Sequence, residues 1–373
     1  MNRVSLRFFA FIIVLLLAPL LGQSPCLGWE GLTGRFEEER TDGGFYTILD
    51  DRGNVIHRTA HKLYVGDEYF TSKNLHYRIT RIEGDCAYAE EVTNEKESPQ
   101  KSASTLEALL AKAADSGARK NLVAIYHTHS DESYVPSDGS ASVYANGGIF
   151  KVGKVFAEKL RSEGFEVLHS LRPHDPHDAN AYYRSRRTAV QLLQKQPVAI
   201  IDVHRDAVPP DVYEAVVNGQ KVTKIKFVIG RENPRMSANL QFAKELKSVL
   251  DEIHPGLVEG ILVSRGNYNQ DLAPRALLVE VGSHTNARED AQKGVALFAD
   301  AFPEVFGITG VRPEAPAPPT NRGDWKALFW GILIAGGMIA GFLYLNTGSW
   351  KGAWERFLDF FRIEFGGKKE GER

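Results

Sequence analysis

The sequence contains little cysteine. Only two cysteines, Cys26 and Cys86, occur among 373 residues, which is too few for a disulfide scaffold even outside the cell. Neither lies near the histidine-containing segments described below, which argues against thiolate metal ligands and against a cysteine nucleophile. If a signal peptidase cuts after Gly28, Cys86 remains alone.

The sequence also lacks an excess of charge of either sign. Its 45 Lys and Arg residues nearly balance 47 Asp and Glu residues, for a net charge of −2. The absence of overall basicity argues against nucleic acid as a partner. No internal repeat is evident, and 43% hydrophobic residues are enough to bury one main core with accessory segments.

Charged residues are missing from two segments, and both predict an association with a membrane. Residues 1–28 place Arg3 and Arg7 before an apolar run, the layout of a signal peptide or signal anchor. Residues 327–345 carry no charge, and at about 1.5 Å per residue they span a hydrocarbon layer of roughly 30 Å. We interpret this second segment as a transmembrane helix.

Basic residues are more frequent after the predicted span than before it, so the positive-inside rule places residues 346–373 in the cytoplasm. The body of the protein then faces outward from the cell membrane. Aromatic residues recur at helical spacing in this tail, which predicts an amphipathic helix lying in the membrane surface or on a partner. Residues 310–326 are rich in proline and read as a linker.

The middle of the chain predicts two kinds of structure. Residues 31–92 contain short strand patterns separated by turns, which predict a small β-rich domain, and residues 93–119 read as a linker. From 120 to 309, strand patterns alternate with helical ones. This alternation predicts an α/β domain with a twisted, mostly parallel sheet flanked by helices.

Three of the predicted strands end in side chains that bind metals or transfer protons. His129 and Glu132 follow the strand 121–126, His204 follows 198–203, and Glu280 lies in 276–281. In open α/β sheets, ligands bind outside the carboxyl ends of the strands. We therefore expect these side chains to meet at one edge of the sheet.

Such a set is typical of a zinc hydrolase, in which three His or carboxylate ligands leave a fourth position open. His129, Glu132 and His204 are the predicted ligands, with Asp131 and Asp138 as substitutes for Glu132. An apolar strand precedes Glu280, so partial desolvation raises its expected pKa to suit a general base. This combination predicts hydrolysis of an amide.

The pattern also suggests roles for polar residues next to the predicted ligands. His127 is expected to be structural or to support a ligand, and Arg205 and Asp206 to orient His204 or bind substrate. His284 fits either a substrate contact or a helix start. The segment 172–178 resembles a second metal cluster, but its prolines favour a solvated loop.

The segments 126–134, 202–206 and 278–282 together resemble the stage II sporulation protein P family, a branch of the zinc-dependent N-acetylmuramoyl-L-alanine amidases. The resemblance covers about residues 121–302, and 45–92 is similar to the family's N-terminal region. It implies a zinc amidase-like fold with His129, Glu132, His204 and Glu280 in the site. In the wider amidase group the ligand Glu lies at the start of the first helix, where this chain has residues 147–151.

The resemblance also implies a function and partners. It implies a membrane-bound, extracytoplasmic enzyme that cleaves the N-acetylmuramoyl-L-alanine amide of peptidoglycan, with stem-peptide cross-links as a second candidate bond, during forespore engulfment. Implied partners are the sporulation lytic transglycosylase, stage II sporulation protein D, and stage II sporulation protein M. The alternative hypothesis is a membrane-tethered wall-binding or scaffolding module without turnover. The sequence fits a metallophosphoesterase less well, because the sites of such enzymes usually carry more aspartates and asparagines.

Overall fold

The computed structural model describes residues 37, 39–40, 42–92, 119–178 and 180–308, together with scattered positions between 333 and 358. Residues up to Gly310 form one compact unit and Val311–Arg373 form another. The predicted segments 1–28 and 310–326 lie outside the described residues, as do most of 93–119, 327–345 and 346–373. No helix among the described residues is both long and apolar enough to span a bilayer.

A single large sheet organises the first unit. Eleven strands pair in the order β2-β1-β5-β4-β3-β12-β11-β13-β8-β6-β7 within the described residues. The thirteen described strands are β1 Tyr46–Leu49, β2 Val55–Thr59, β3 Glu68–Thr71, β4 His76–Glu83, β5 Cys86–Glu91, β6 Arg119–Tyr126, β7 Glu166–His169, β8 Pro197–Asp206, β9 Glu214–Val217, β10 Gln220–Thr223, β11 Ile225–Gly230, β12 Val258–Ser264 and β13 Ala276–Ser283.

Helices cover the α/β half of this sheet. The described helices of the first unit are α1 Val135–Asp138, α2 Ile149–Ser162, α3 Ala181–Leu193, α4 Met236–Ile253, α5 Arg288–Ala299 and α6 Phe302–Phe306. In α2, Ile149, Val152, Phe156 and Leu160 recur at helical spacing and are fully buried. Burial of each such side chain contributes roughly 1.5–3 kcal/mol, so this stripe fixes the helix on the sheet.

The α/β half has the predicted class. β13, β8, β6 and β7 are parallel neighbours, and β11 and β12 are parallel to each other. β11 meets β13 in the antiparallel sense. Because β6, β8 and β13 run the same way, their carboxyl ends lie at the same edge of the sheet.

Five short strands form within residues 42–92, but they do not make a separate sheet. β3 pairs antiparallel with β12, with Phe70 opposite Ile261, so β1–β5 extend the main sheet. The structure therefore does not confirm the small preceding β domain. Backbone groups at the edge of β12 need partners, and β3 supplies them.

Asn218-Gly219, a dipeptide common in two-residue hairpin turns, joins two short strands. β9 and β10 pair antiparallel around Asn218 and Gly219, both with positive φ. β10 ends at Thr223, and after Lys224 the chain continues as β11 in the main sheet.

Candidate metal centre

Sheet register places two of the predicted residues side by side. His204 on β8 is the Cα partner of Glu280 on β13. Directly paired residues on neighbouring parallel strands point to the same face, so both side chains project from one surface. His129 comes from the loop after β6, which is the next strand beyond β8.

The three predicted metal ligands converge on a small volume. Glu132 Oε1 lies 3.3 Å from His129 Nδ1 and 3.3 Å from His204 Nδ1. The two imidazole centroids are 4.9 Å apart with the rings at 80°. All three side chains are at most 3% exposed. The sequence pattern therefore located groups that the fold brings together.

These distances suit a shared cation better than direct ion pairs. Charge-assisted N–H···O bonds are shorter, at about 2.7–2.9 Å. Four ligands held tetrahedrally at 2.0–2.2 Å from zinc are separated from one another by about 3.3–3.6 Å. The spacing around Glu132 Oε1 matches that tetrahedral edge.

Contacts from the backbone hold Glu132 in place. Arg205 N–H donates to Glu132 Oε2 at 2.9 Å, and the Arg205 guanidinium lies 3.7 Å from Oε1. Ile149 N–H, at the start of α2, donates to the Glu132 carbonyl at 3.0 Å. A Cβ on Gly147 would come within 2.3 Å of that carbonyl oxygen. Glycine thus lets the loop carrying Glu132 lie against the start of the first long helix.

The substitutes for Glu132 point elsewhere. Asp131 Oδ1 lies 3.1 Å from His177 Nδ1, and Ser142 donates to its other oxygen. Asp138 accepts from the backbone of Tyr134 and pairs with Arg288. Neither aspartate belongs to the candidate ligand group.

The acidic and basic side chains of the centre stabilise each other's ionised forms. Burial opposes the ionisation of Glu132, but His204 and Arg205 outweigh it and lower the Glu132 pKa. Burial would likewise lower the pKa of His204, whereas Asp202 and Glu132 raise it well above its usual value. A cation between the imidazoles and Glu132 would take over this role and hold both rings neutral.

The residue behind His204 is Asp202, not Asp206. Asp202 Oδ1 lies 3.0 Å from His204 Nε2, off the direction of an N–H bond, so the contact is electrostatic. Asp206 has no contact with His204 among the described residues, because its carboxylate pairs with Lys226 on β11, two strands away. Strand alternation does not explain the difference, since Asp202, His204 and Asp206 follow one another at intervals of two residues. The bonds of Asp202 with the Thr128 N–H and hydroxyl draw its carboxylate toward the site.

Glu280 pairs with His61, a histidine that the sequence pattern did not single out. His61 Nε2 lies 2.6 Å from Glu280 Oε1, and both side chains are buried. Burial raises the pKa of Glu280, the expected direction, although His61 opposes the shift. Glu280 Oε2 has no hydrogen-bond partner among the described residues. One carboxylate oxygen is therefore fixed while the other is available.

The segment 172–178 forms a loop whose Arg172, Pro173, Pro176 and Asp178 are exposed, as its prolines favour, but its two histidines turn inward. His174 is 4% exposed, with Nδ1 2.7 Å from the His127 carbonyl oxygen and Nε2 2.8 Å from Thr188 Oγ1. His177 stacks on the His129 ring at 3.8 Å. The loop thus packs over the candidate centre. Its histidines were a usable signal, but their burial depends on contacts distant in sequence.

His127 has the structural role predicted for it. Its Nδ1 lies 2.9 Å from the Val203 carbonyl oxygen and its Nε2 2.9 Å from His169 Nε2. His284 contributes backbone bonds, accepting from Val135 N–H and donating to the Asp206 carbonyl. Neither histidine belongs to the ligand group.

A further carboxylate, Glu39, enters the centre from the segment before β1. One Glu39 oxygen lies within 4.8 Å of the ligand atoms of His129, Glu132 and His204, and Glu39 is also grouped with His61 and Glu280. The sequence pattern gave no signal for it, because it lies in an acidic run far from any strand end.

Comparisons with known proteins identify the family of the chain. The profile of the family "Stage II sporulation protein P (SpoIIP)" matches residues 62–303. The chain is 31% identical over 206 residues to "Stage II sporulation protein P" of Bacillus subtilis (strain 168), an alignment covering 50% of this chain and 51% of the relative. The chain therefore spans about half the length of that relative.

Solved structures with some likeness include two amidases. N-acetylmuramoyl-L-alanine amidase AmiC2 of Nostoc punctiforme is 13% identical with a TM-score of 0.31, covering 51% of this chain and 97% of that one. The N-acetylmuramoyl-L-alanine amidase from Clostridium difficile 630 is 17% identical with a TM-score of 0.34, covering 51% and 98%. Such low scores carry no weight for this fold. The family match, in contrast, covers well over half of the chain, and the protein belongs to the stage II sporulation protein P family.

Proposed function

We propose that this protein is a zinc-dependent peptidoglycan hydrolase that cleaves the amide between N-acetylmuramic acid and L-alanine. The observation that carries the proposal is the ligand geometry, in which Glu132 Oε1 lies 3.3 Å from both His129 Nδ1 and His204 Nδ1. Two imidazoles and a carboxylate are a donor set that zinc prefers, whereas calcium and magnesium prefer oxygen alone. Membership of the sporulation family supports the cell-wall substrate.

Zinc held by these three residues would polarise the scissile carbonyl and lower the pKa of a water to about 7. The protein's own contribution begins with Glu280. Its Oε2 is available to accept a proton from the attacking water and to return it to the leaving amide nitrogen. His61 holds Oε1 at 2.6 Å and so fixes the carboxylate during both transfers.

Supporting residues keep the ligands in position. Arg205 holds Glu132 through its backbone N–H, and the Asp202 carboxylate lies 3.0 Å from His204 Nε2, where it orients the ring. His177 stacks on the His129 ring and Tyr182 contacts it edge-on, and both contacts limit its rotation. Such partners of metal ligands commonly change metal affinity by 10–100-fold when removed.

The proposed setting is the outer side of the cell membrane during forespore engulfment. It is supported by the charge pattern around residues 327–345 and by the family. Stage II sporulation proteins D and M are the proposed partners. Stem-peptide cross-links are a second candidate bond, with the same carbonyl chemistry.

The test uses purified full-length protein and sacculi. Release of stem peptides is expected to stop after chelation, to return with zinc, and to be lost in His129→Ala and His204→Ala. His76→Ala is the matched control, since His76 on β4 pairs with Glu68 on β3 and does not belong to the ligand group. Activity that survives thorough chelation would refute the proposal.

The scaffolding alternative is separated by Glu280→Gln. A hydrolase loses turnover by about 10²–10⁴-fold when its general base is removed, while binding to sacculi persists. A scaffold shows the same wall binding before and after the change and no turnover in either form.

A further inference from the structure

The segment carrying Glu39 crosses the candidate metal centre outside the eleven-stranded sheet. Glu39 forms an isolated antiparallel bridge with His61, and Arg40 N–H donates to the Ala60 carbonyl at 3.0 Å. Upstream, Glu37 Oε1 accepts from the N–H groups of Asn267 and Tyr268 at 2.8 and 3.2 Å. These contacts hold the segment across the site at both ends.

Glu39 is aimed at the ligands. Its Oε1 lies 3.5 Å from His129 Nδ1, within the range of a zinc tetrahedron's edge. The side chain is only 7% exposed, and Oε1 has no hydrogen-bond partner among the described residues. A buried carboxylate oxygen without a donor is costly unless a cation compensates it. Its second oxygen lies 3.7 Å from His177 Nε2.

The same segment helps to close the site. His129 is 3% exposed, and Glu132, His204 and Glu280 are fully buried. A polymer can reach a carbonyl-activating centre enclosed in this way only while the enclosure is open. Glu39 also lies beside both the ligand group and the His61–Glu280 pair, where the reacting amide and water would have to be.

We propose that Glu39 is a fourth protein ligand of the metal, and that its segment holds the enzyme in a closed, latent form. This inference rests on the proposed zinc site and adds its regulation. Structural zinc sites have four protein ligands, whereas catalytic ones keep one position open. Displacement of Glu39 converts the first kind into the second. Glu39 precedes residues 62–303, so the family match does not include it.

The test compares full-length protein with Glu39→Gln, which keeps the shape and removes the charge. Zinc affinity is measured by competition with a chromophoric chelator, and acetohydroxamic acid is titrated onto the zinc-loaded proteins as a probe of an open position. We expect zinc to bind about 10-fold or more weakly in the variant. We expect acetohydroxamic acid to bind about 10-fold or more tightly, because an open form populated at one tenth or less reduces apparent affinity by that fraction. Hydrolysis of sacculi should rise in parallel at saturating zinc.

Glu90→Gln on β5 is the matched control, because Glu90 is exposed, and it should behave as the parent. Glu39→Asp provides a second variant with a shorter reach, and circular dichroism verifies folding of each. Unchanged zinc affinity in Glu39→Gln overturns the proposal, since Glu39 then only pairs with His177. Weaker zinc binding without tighter probe binding also overturns it, because the position was already open. A parent that binds no zinc refutes the proposed function itself, which distinguishes the two failures.

Discussion

A buried ion pair of the α/β half also hydrogen-bonds to the end of β2, and its removal tests how the first strands are joined to that half. Lys226 on β11 pairs with Asp206 at the end of β8, and the two side chains are 0% and 1% exposed. Asp206 also accepts from Thr59 Oγ1 at 3.2 Å and from Ala60 N–H at 3.0 Å. Burial opposes ionisation of Asp206, but Lys226 lowers its pKa below the usual range.

Lys226→Met leaves a carboxylate buried without its cation. Breaking a buried pair in this way costs about 3–5 kcal/mol. At about 2–4 °C per kcal/mol for a unit of this size, Tm should fall by roughly 6–20 °C. The double variant Lys226→Met with Asp206→Asn should recover a large part of the loss, because no unpaired charge remains. The expected coupling energy is about 1–3 kcal/mol.

Urea unfolding at pH 7 of the four proteins in the cycle measures these quantities. Lys154→Met serves as control, since the Lys154 side chain is 70% exposed and its pair with Glu158 is expected to contribute little. Additive effects within error, or a loss below about 1 kcal/mol for Lys226→Met, would contradict the reasoning. Two separate transitions in the parent would indicate that β1–β5 unfold independently of the α/β half.

Three further outcomes are expected. Burial, aided by Arg161, lowers the pKa of His169 to about 4, so its contribution is complete above the unfolded pKa near 6.5 and is lost as pH falls toward 4. His169→Gln should therefore lose about 2 kcal/mol less stability than the parent between pH 7 and pH 5 in urea titrations, and equal losses would exclude this titration. Gly147→Ala should displace the loop of Glu132 by its clash at 2.3 Å and weaken zinc binding without unfolding the sheet, which calorimetry and circular dichroism can verify. Asp202→Asn should weaken zinc binding by about 10–100-fold, and an unchanged affinity would remove Asp202 from the support of His204.

Local pattern was enough to predict the strands and helices of the α/β half. Continuous apolar runs of strand length are local signals, and they located β6, β8 and β13 within a few residues. The rule that parallel strands present their carboxyl ends at one edge then brought His129, His204 and Glu280 together. These predictions needed no knowledge of the pairing order.

Non-local pairing was what the pattern could not provide. Whether β3 adds to β12 or closes a sheet of its own depends on which edges remain unpaired after folding, and strand sequences alone do not specify this. The contact of His204 with Asp202 and not with Asp206 has the same origin, because Lys226 on β11, two strands from β8, pairs with the Asp206 carboxylate.

The sequence by itself determined the fold class, three candidate ligands and one candidate base. Each of these four residues lies near the end of a strand or just after it, and the apolar run of a strand is a local signal. Only the tertiary structure decided that His61 holds Glu280, that His177 covers His129 and that Glu39 enters the centre. These three residues come from segments without regular periodicity. Their positions are set by packing against strands more than forty residues away along the chain, and no local signal records such contacts.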